Sequence, residues 1–260
     1  MKINRLSICP LASGSQGNSI FVSARNTSIL IDAGLSGIEL EKRMSAKGLS
    51  IKQISAIIIT HEHTDHVKGA GILSRRFNIP VYINKRTCQA ASKKLGKLDF
   101  VQYFNCGKLF KIGNLTINPF SISHDAADPT ALTIKYQNIK IGFVTDLGVA
   151  TNLVKEHLKA CSLLYLEANH DPEMLMLNNS YPWALKQRIK GRKGHLSNQA
   201  AEKLISEISS KTLEYIILSH LSEQNNTPEK ALQTVTQSLN TSHVSFNVAR
   251  PDKPGNIIHL

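Results

Sequence analysis

The stretch AIIITHEHTDHVKG, residues 56–69, decides how this chain is read. A run of alanine, isoleucine and threonine leads straight into His61, His63, Asp65 and His66. Imidazole and carboxylate groups at the end of a buried strand are expensive to desolvate unless something binds them. In extended backbone the i, i+2 spacing points His61 and His63 the same way, and a following turn can carry Asp65 and His66 to a second position nearby. Imidazole nitrogen and carboxylate oxygen suit Zn²⁺ or Mn²⁺. Two such ions about 3.5 to 4 Å apart form a clamp for displacement at phosphorus. The motif is thus half of a dinuclear metal site in search of its other ligands.

Working outward, strand-like runs alternate with helical patterns: SIFVSA, SILIDAG, AIIIT, PVYIN, LTINPFSI, ALTIKY, KIGFVT, SLLYLEA and LEYIILSH. Amphipathic stretches lie between them, at about 37–47, 67–77, 85–95, 151–159, 198–208 and 228–239. Several consecutive strands over 115–145 are separated only by short turns, which calls for mixed sheets and not an unbroken βαβ series. With 260 residues, 42% of them hydrophobic, the chain can bury a large core, and one α/β domain is expected. Asp32, His61, His124, Asp146, Glu167 and His220 all fall where strand runs end. Open α/β sheets gather ligands at the carboxyl ends of their strands, so these residues are candidates for one cleft. Taken singly they are weaker signals: Asp32 also reads as a turn former, Asp146 as a helix cap, and a lone His124 or His220 as a core or surface histidine.

A net charge of +12 and a pI near 9.6 suit a polyanionic partner, although solubility alone also accounts for them. The densest basic run is YPWALKQRIKGRK, in which Tyr181 and Trp183 precede Lys186, Arg188, Lys190, Arg192 and Lys193. It reads either as a substrate strap, with Trp183 stacked on a base and cations on phosphates, or as a helix with Trp183 inward and a solvated basic face. Asn225 and Asn226 suit either phosphate contact or a turn. The start of the chain is no secretory segment, and no stretch approaches the roughly 18 to 20 apolar residues of a membrane span. Cys9, Cys88, Cys106 and Cys161 are scattered, as reduced and mostly buried thiols would be. A soluble cytoplasmic protein without membrane partners is the expectation.

THEHTDH, LIDAG and the downstream His124, Asp146 and His220 resemble the metallo-β-lactamase superfamily, which implies an αββα four-layer sandwich of two mixed sheets with helices on the outer faces. SGSQGNS, PFSISHDAADP, TDLG, LEANHDPEML, YPWALKQRI, GHLSNQAA and LSHLSEQNNTPE are similar to its YycJ/WalJ branch, whose members are described as 5′-to-3′ exonucleases on DNA. The expected domain spans 1–260 without a β-CASP insert, since Asp146 and His220 stand only 74 residues apart. The resemblance makes His61, His63 and His124 ligands of one divalent ion and Asp65, His66 and His220 ligands of a second. Asp146 would bridge the two, and Asp32 would orient the histidine loop from behind. Asp65 counts also among the catalytic residues.

LEANH and GHLSNQAA further resemble ribonuclease Z, in which a glutamate and a histidine serve proton transfer to the leaving group. Glu167 and His195 occupy those positions, with His170 as the rival donor and the helix cap near Ser197 as the plain reading of His195. Trp183, Lys186, Arg188, Arg192, Lys193 and Asn225 are the expected substrate contacts. The expectation is a hydrolase holding two Zn²⁺ or Mn²⁺ ions that degrades DNA from a 5′ end in repair or replication, with recruitment by proteins of those pathways. An RNA-processing nuclease, a small-molecule phosphodiester or ester hydrolase and a non-catalytic nucleic-acid binder are the rivals.

Overall fold

Uninterrupted apolar runs mark strands buried on both faces. In a computed structural model, which describes residues 5–237 and 243–260, they form the middles of two seven-stranded sheets. The first runs β14 (Ile258–His259), β1 (Leu6–Ala12), β2 (Ser19–Ala24), β3 (Thr27–Ile31), β4 (Ala56–Ile58), β5 (Val81–Asn84), β6 (Val101–Phe104). The second runs β13 (Ser245–Val248), β12 (Tyr215–Ser219), β11 (Leu163–Glu167), β10 (Ile139–Val144), β9 (Thr130–Tyr136), β8 (Leu115–Ser121), β7 (Phe110–Ile112). Each sheet is mixed. Pairing is antiparallel from β14 to β3 and parallel from β3 to β6. In the second sheet it is parallel from β13 to β10 and antiparallel from β10 to β7.

Side-chain alternation builds four layers. Ala56 and Ile58 of β4 and Leu163 and Tyr165 of β11 point into the core between the sheets. Ile57 and Ile59 point out against Leu40, Met44, Leu73 and Ala91, on helices α1 (Gly37–Ser45), α3 (Ala70–Phe77) and α4 (Lys85–Leu95). Leu164 and Leu166 point out against α5 (Asn152–Leu158), α8 (Asn198–Ile208) and α9 (Pro228–Thr236). The remaining helices, α2 (Thr64–Val67), α6 (Pro172–Leu177) and α7 (Trp183–Lys190), lie in loops at the rim. Helices α1, α4, α5, α6, α8 and α9 each open on a Ser, Asn, Thr or Asp whose side chain accepts a hydrogen bond from the third helical amide. Since Thr151 caps α5, Asp146 is not a helix cap.

The helix expected over 67–77 starts only at Ala70, as α3, because the chain turns at Gly69 after the short α2. There the chain passes so close to Leu35 that a Cβ would lie 2.3 Å from its carbonyl oxygen, and the Gly69 amide bonds Ala33 O (2.7 Å) instead of continuing the helix. The helix expected over 228–239 is described to Thr236, and its last two positions lie outside the described residues. No helix among the described residues is long and apolar enough to cross a membrane.

Candidate metal centre

Three strand ends deliver their residues through the same unusual backbone. Asp32 after β3, Asp146 after β10 and His220 after β12 adopt φ of +59°, +57° and +54°. Such left-handed turns suit few L-residues besides Asn, Asp and His, and each aims a side chain across the sheet edge. His61 and His63 follow β4, His63 in extended backbone, while Asp65 and His66 sit on the single turn of α2. His124 comes from the β8–β9 loop. The histidine loop is zipped in place by main-chain bonds from Asn18 N to Asp65 O (2.7 Å) and Ala33 N to His66 O (2.8 Å). Gly34 makes that approach possible, because a Cβ there would overlap Asp65 O.

The expected ligands converge. Ligand atoms of His61, His63 and His124 form one group within 4.8 Å of one another, and those of Asp65, His66 and His220 form another. Asp146 lies between the groups, with Oδ2 3.2 Å from His66 Nε2 and Oδ1 3.6 and 3.7 Å from His220 Nε2 and His124 Nε2.

Hydrogen bonds behind the rings decide which nitrogen faces inward. Asp32 Oδ2 accepts from His66 Nδ1 (2.7 Å) and Thr60 Oγ1 (2.8 Å), and Asp32 Oδ1 from the Thr60 amide (2.9 Å). The Thr60 hydroxyl, its proton given to Asp32, accepts from His61 Nδ1 (3.1 Å). Gly194 O accepts from His124 Nδ1 (3.2 Å) and Asp125 O from His63 Nε2 (3.0 Å). Glu167 Oε1 accepts from His220 Nδ1 (2.9 Å) and His195 Nδ1 (2.8 Å). Each cluster histidine is thus tethered at one nitrogen and presents the other to the centre.

The electrostatics call for cations. Burial drives His61 well below the usual imidazole range, a shift reinforced by the charge of His66. Burial opposes a charge on His220 as well, yet Asp146, Asp65 and Glu167 outweigh it and lift His220 to about 10. Asp146 and Asp32 likewise hold His66 well above its ordinary value against burial. Asp65 and Asp146 lie below the carboxylate range because their neighbouring histidines overcome desolvation. Buried His61 Nε2 and His220 Nε2 have no hydrogen-bond partner. Converging imidazole and carboxylate donors, two of them buried nitrogens without a hydrogen-bond partner, fit divalent metal ions.

Glu167 is fully buried and accepts four hydrogen bonds, two of them from the amides of Leu147 (2.7 Å) and Leu196 (3.0 Å) at Oε2. Desolvation raises it, but His195 and His220 bring it down to about 2, so it is ionised and only accepts. His195, part-exposed, borders the cleft that also holds His63, Asp146 and His220, and Ser197 alone caps α8. His170 is buried and borders a neighbouring cleft, its ring held down at about 4 by desolvation.

The basic element is the helix α7, and its members divide. Arg188 and Lys193 line the cleft over the cluster, Arg188 pairing with Asp125 at 3.2 Å. Arg192 is exposed beside them, and Trp183 is 62% exposed, contrary to the inward-packed alternative. Two expected substrate contacts are corrected. Lys186 is buried, its Nζ donating to Met176 O (2.6 Å), so it ties α7 to α6 and faces no ligand. Asn225 is 1% exposed, its side chain accepting from Asn178 Nδ2 (2.7 Å) and donating to Ser222 Oγ (3.3 Å), so it shapes a turn. Asn226 is similarly spent on Asn198 and Ala168 O.

Other contributors carried no assigned role in the sequence. Buried Asn18 donates from Nδ2 to Asp65 Oδ2 (3.2 Å) and lies 3.1 Å from His66 Nε2, while Ser13 Oγ accepts from the His220 amide (2.7 Å). Both belong to the SGSQGNS stretch, whose small and amide residues were the available signal.

Residues 27–220 match the model of the Beta-lactamase superfamily domain. The chain is 37% identical over 231 residues to the exodeoxyribonuclease YycJ of Bacillus anthracis, covering 88% of this chain and 87% of that protein. It is 37% identical over 243 residues to the exodeoxyribonuclease WalJ of Streptococcus pneumoniae, covering 92% and 90%. Among solved structures, the metallo-beta-lactamase fold protein YhfI of Bacillus subtilis superposes with a TM-score of 0.77 at 15% identity, over 99% of this chain and 100% of that one, a likeness of fold.

Proposed function

The chain belongs to the beta-lactamase superfamily, in the branch of the YycJ and WalJ exodeoxyribonucleases, and from that premise we propose that it is a single-domain dinuclear metallohydrolase that removes nucleotides from the 5′ end of DNA. The observation that carries the reading is the convergence of seven ligand side chains beside a histidine that a buried glutamate holds at 2.8 Å. Two divalent ions, zinc or manganese, supply a Lewis acid for the phosphoryl oxygens and ease the deprotonation of water near neutral pH. His61, His63 and His124 would hold one ion and Asp65, His66 and His220 the other, with Asp146 between them.

The remaining chemistry belongs to the protein. Asp32 and Glu167 fix ring orientation from behind. His195, tethered at Nδ1, turns Nε2 to the cleft and gives the 3′-oxygen of the departing nucleotide its proton. His170 does not compete for that task, because its buried ring faces the neighbouring cleft and stays neutral near pH 7. Arg188, Arg192 and Lys193 meet phosphates of the strand, and exposed Trp183 offers a stacking surface. Four free cysteines accord with a reducing compartment, so the reading puts the enzyme in the cytoplasm, at work in DNA repair or replication. The glutamate–histidine pair that resembles ribonuclease Z keeps RNA as the second substrate to test.

The experiment compares leaving groups. A sugar 3′-oxygen departs poorly without a proton, whereas nitrophenolate needs none. His195→Ala should lose about 10²- to 10⁴-fold on DNA and keep its metals and most activity on bis(p-nitrophenyl) phosphate. Equal losses on both substrates would refute the assignment.

A further inference from the structure

His195 stands between two clefts, and only one of them holds the cluster. The other is walled by Pro172 and Met176 of α6, by Lys190 at the end of α7, and by Ser197 and Ala200 in the first turn of α8. Three of its features select an anion. The 11-residue helix α8 opens there with the positive end of its dipole, and since the Asn198 and Ala200 amides already bond His170 O and Ser197 Oγ, the Gln199 amide is the one its first turn offers. Lys190 is exposed and has no acidic partner among the described residues. His170, 2% exposed, borders the cleft with a buried Nδ1 that has no hydrogen-bond partner. Its backbone is fixed against α8, since Asn198 N donates to His170 O (2.9 Å). Beside these groups, Leu175 and Met176 offer an apolar wall of the kind a base or sugar covers.

The chemistry gives the cleft its occupant. In-line displacement puts the leaving oxygen on the far side of phosphorus from the attacking water, and His195 protonates that oxygen. The nucleotide carrying it therefore extends past His195, away from the cluster. On a strand cut from its 5′ end, that is the terminal nucleotide. We propose that the second cleft seats the 5′-terminal nucleotide and that Lys190, His170 and the start of α8 bind its 5′-phosphate. The inference rests on the exonuclease reading. Hydrolysis breaks the bond from phosphorus to the 3′-oxygen, joins water oxygen to phosphorus and sends a proton to the 3′-oxygen. The products are a 5′-mononucleotide and a shortened strand bearing a new 5′-phosphate. Each cycle thus regenerates the group that the cleft binds, and only the first step on a 5′-hydroxyl end is handicapped.

The test measures first-nucleotide release from single-stranded DNA with a 5′-phosphate or a 5′-hydroxyl, in the metal-loaded wild type, Lys190→Ala and His170→Asn. Calorimetric binding of 2′-deoxyadenosine 5′-monophosphate is measured on the same proteins. The wild type should favour the phosphorylated end by about tenfold or more, the scale of one charge-assisted hydrogen bond. The preference should fall towards unity in both variants, with a matching loss of mononucleotide affinity. Lys190 is exposed, so its variant keeps the test alive if His170→Asn fails to fold. Equal wild-type rates on the two ends, or an undiminished preference in folded variants, would overturn the proposal. Should neither DNA be cut while bis(p-nitrophenyl) phosphate is hydrolysed, the exonuclease reading fails by itself. Mononucleotide binding then decides: weakened in Lys190→Ala it upholds the phosphate cleft, unchanged it overturns it.

Discussion

Glu167→Gln alters one atom type at the point where the site's hydrogen bonds meet. The carboxylate receives His195 and His220 at Oε1 and the Leu147 and Leu196 amides at Oε2. Glutamine keeps the volume but offers one acceptor oxygen, so its NH₂ must face either the two imidazoles or the two amides. Towards the amides, two buried N–H groups lose their acceptor. At about 1 to 3 kcal/mol each, folding would lose about 2 to 6 kcal/mol. Towards the imidazoles, the clash is relieved only if the ring protons move from Nδ1 to Nε2, which removes the lone pair that His220 presents to the centre. Loss of such an orienting partner costs about 10- to 100-fold in metal affinity. Calorimetric Tm and bound zinc or manganese after dialysis against graded chelator separate the branches, and one of the two quantities must fall. A Glu167→Gln protein with wild-type Tm and wild-type metal affinity would refute the tautomer argument.

The metal-free protein should respond to pH in a defined direction. His66 and His220 have folded pKa values above the unfolded value of about 6.5, with His220 at about 10. The stabilisation from both is therefore complete below about pH 6.5 and fades at higher pH, the part from His220 being lost as pH rises through about 10. The Tm of the stripped protein should fall over that range, while metal binding releases protons and strengthens; a Tm that rises between pH 7 and 10 would contradict it. Arg188→Ala and Lys193→Ala should each flatten the dependence of log K on log salt for single-stranded DNA by about 0.7. Lys186→Met should leave that slope alone and cost about 1 to 3 kcal/mol in denaturant unfolding, because it removes the buried bond to Met176 O.

The legible part of the fold is the part buried on both faces. β3, β4, β10, β11 and β12 read as apolar runs because both sides of each strand meet hydrophobic layers. Strands β6, β7, β13 and β14 escaped notice because they are short and lie at or beside sheet edges, with side chains partly in solvent. β1 escaped because Pro10 and its small polar neighbours interrupt the apolar run. The cluster's histidines and aspartates were readable because strand ends place most of them and the turn from His63 to His66 is local. Asn18 and Ser13 act across the fold, on partners 48 and 207 positions away, which no local pattern encodes. The same holds for Lys186 and Asn225. Their residue types suit phosphate, and only the packing of α6 against α7 and the turn at Ser222 reveals that their polar atoms are already engaged.

The central claim is that Asp146 joins two ions at a site that cuts DNA from its 5′ end. End-labelled DNA and a matched RNA, digested by zinc- or manganese-loaded wild type and by Asp146→Ala with metal content measured alongside, test it most directly. The wild type should carry about two ions and release mononucleotides from the 5′ end of DNA faster than from RNA, and Asp146→Ala should lose metal and digestion together. Wild-type digestion by metal-free Asp146→Ala would contradict the metal account, and a wild type that prefers RNA would transfer the enzyme to the RNA-processing class.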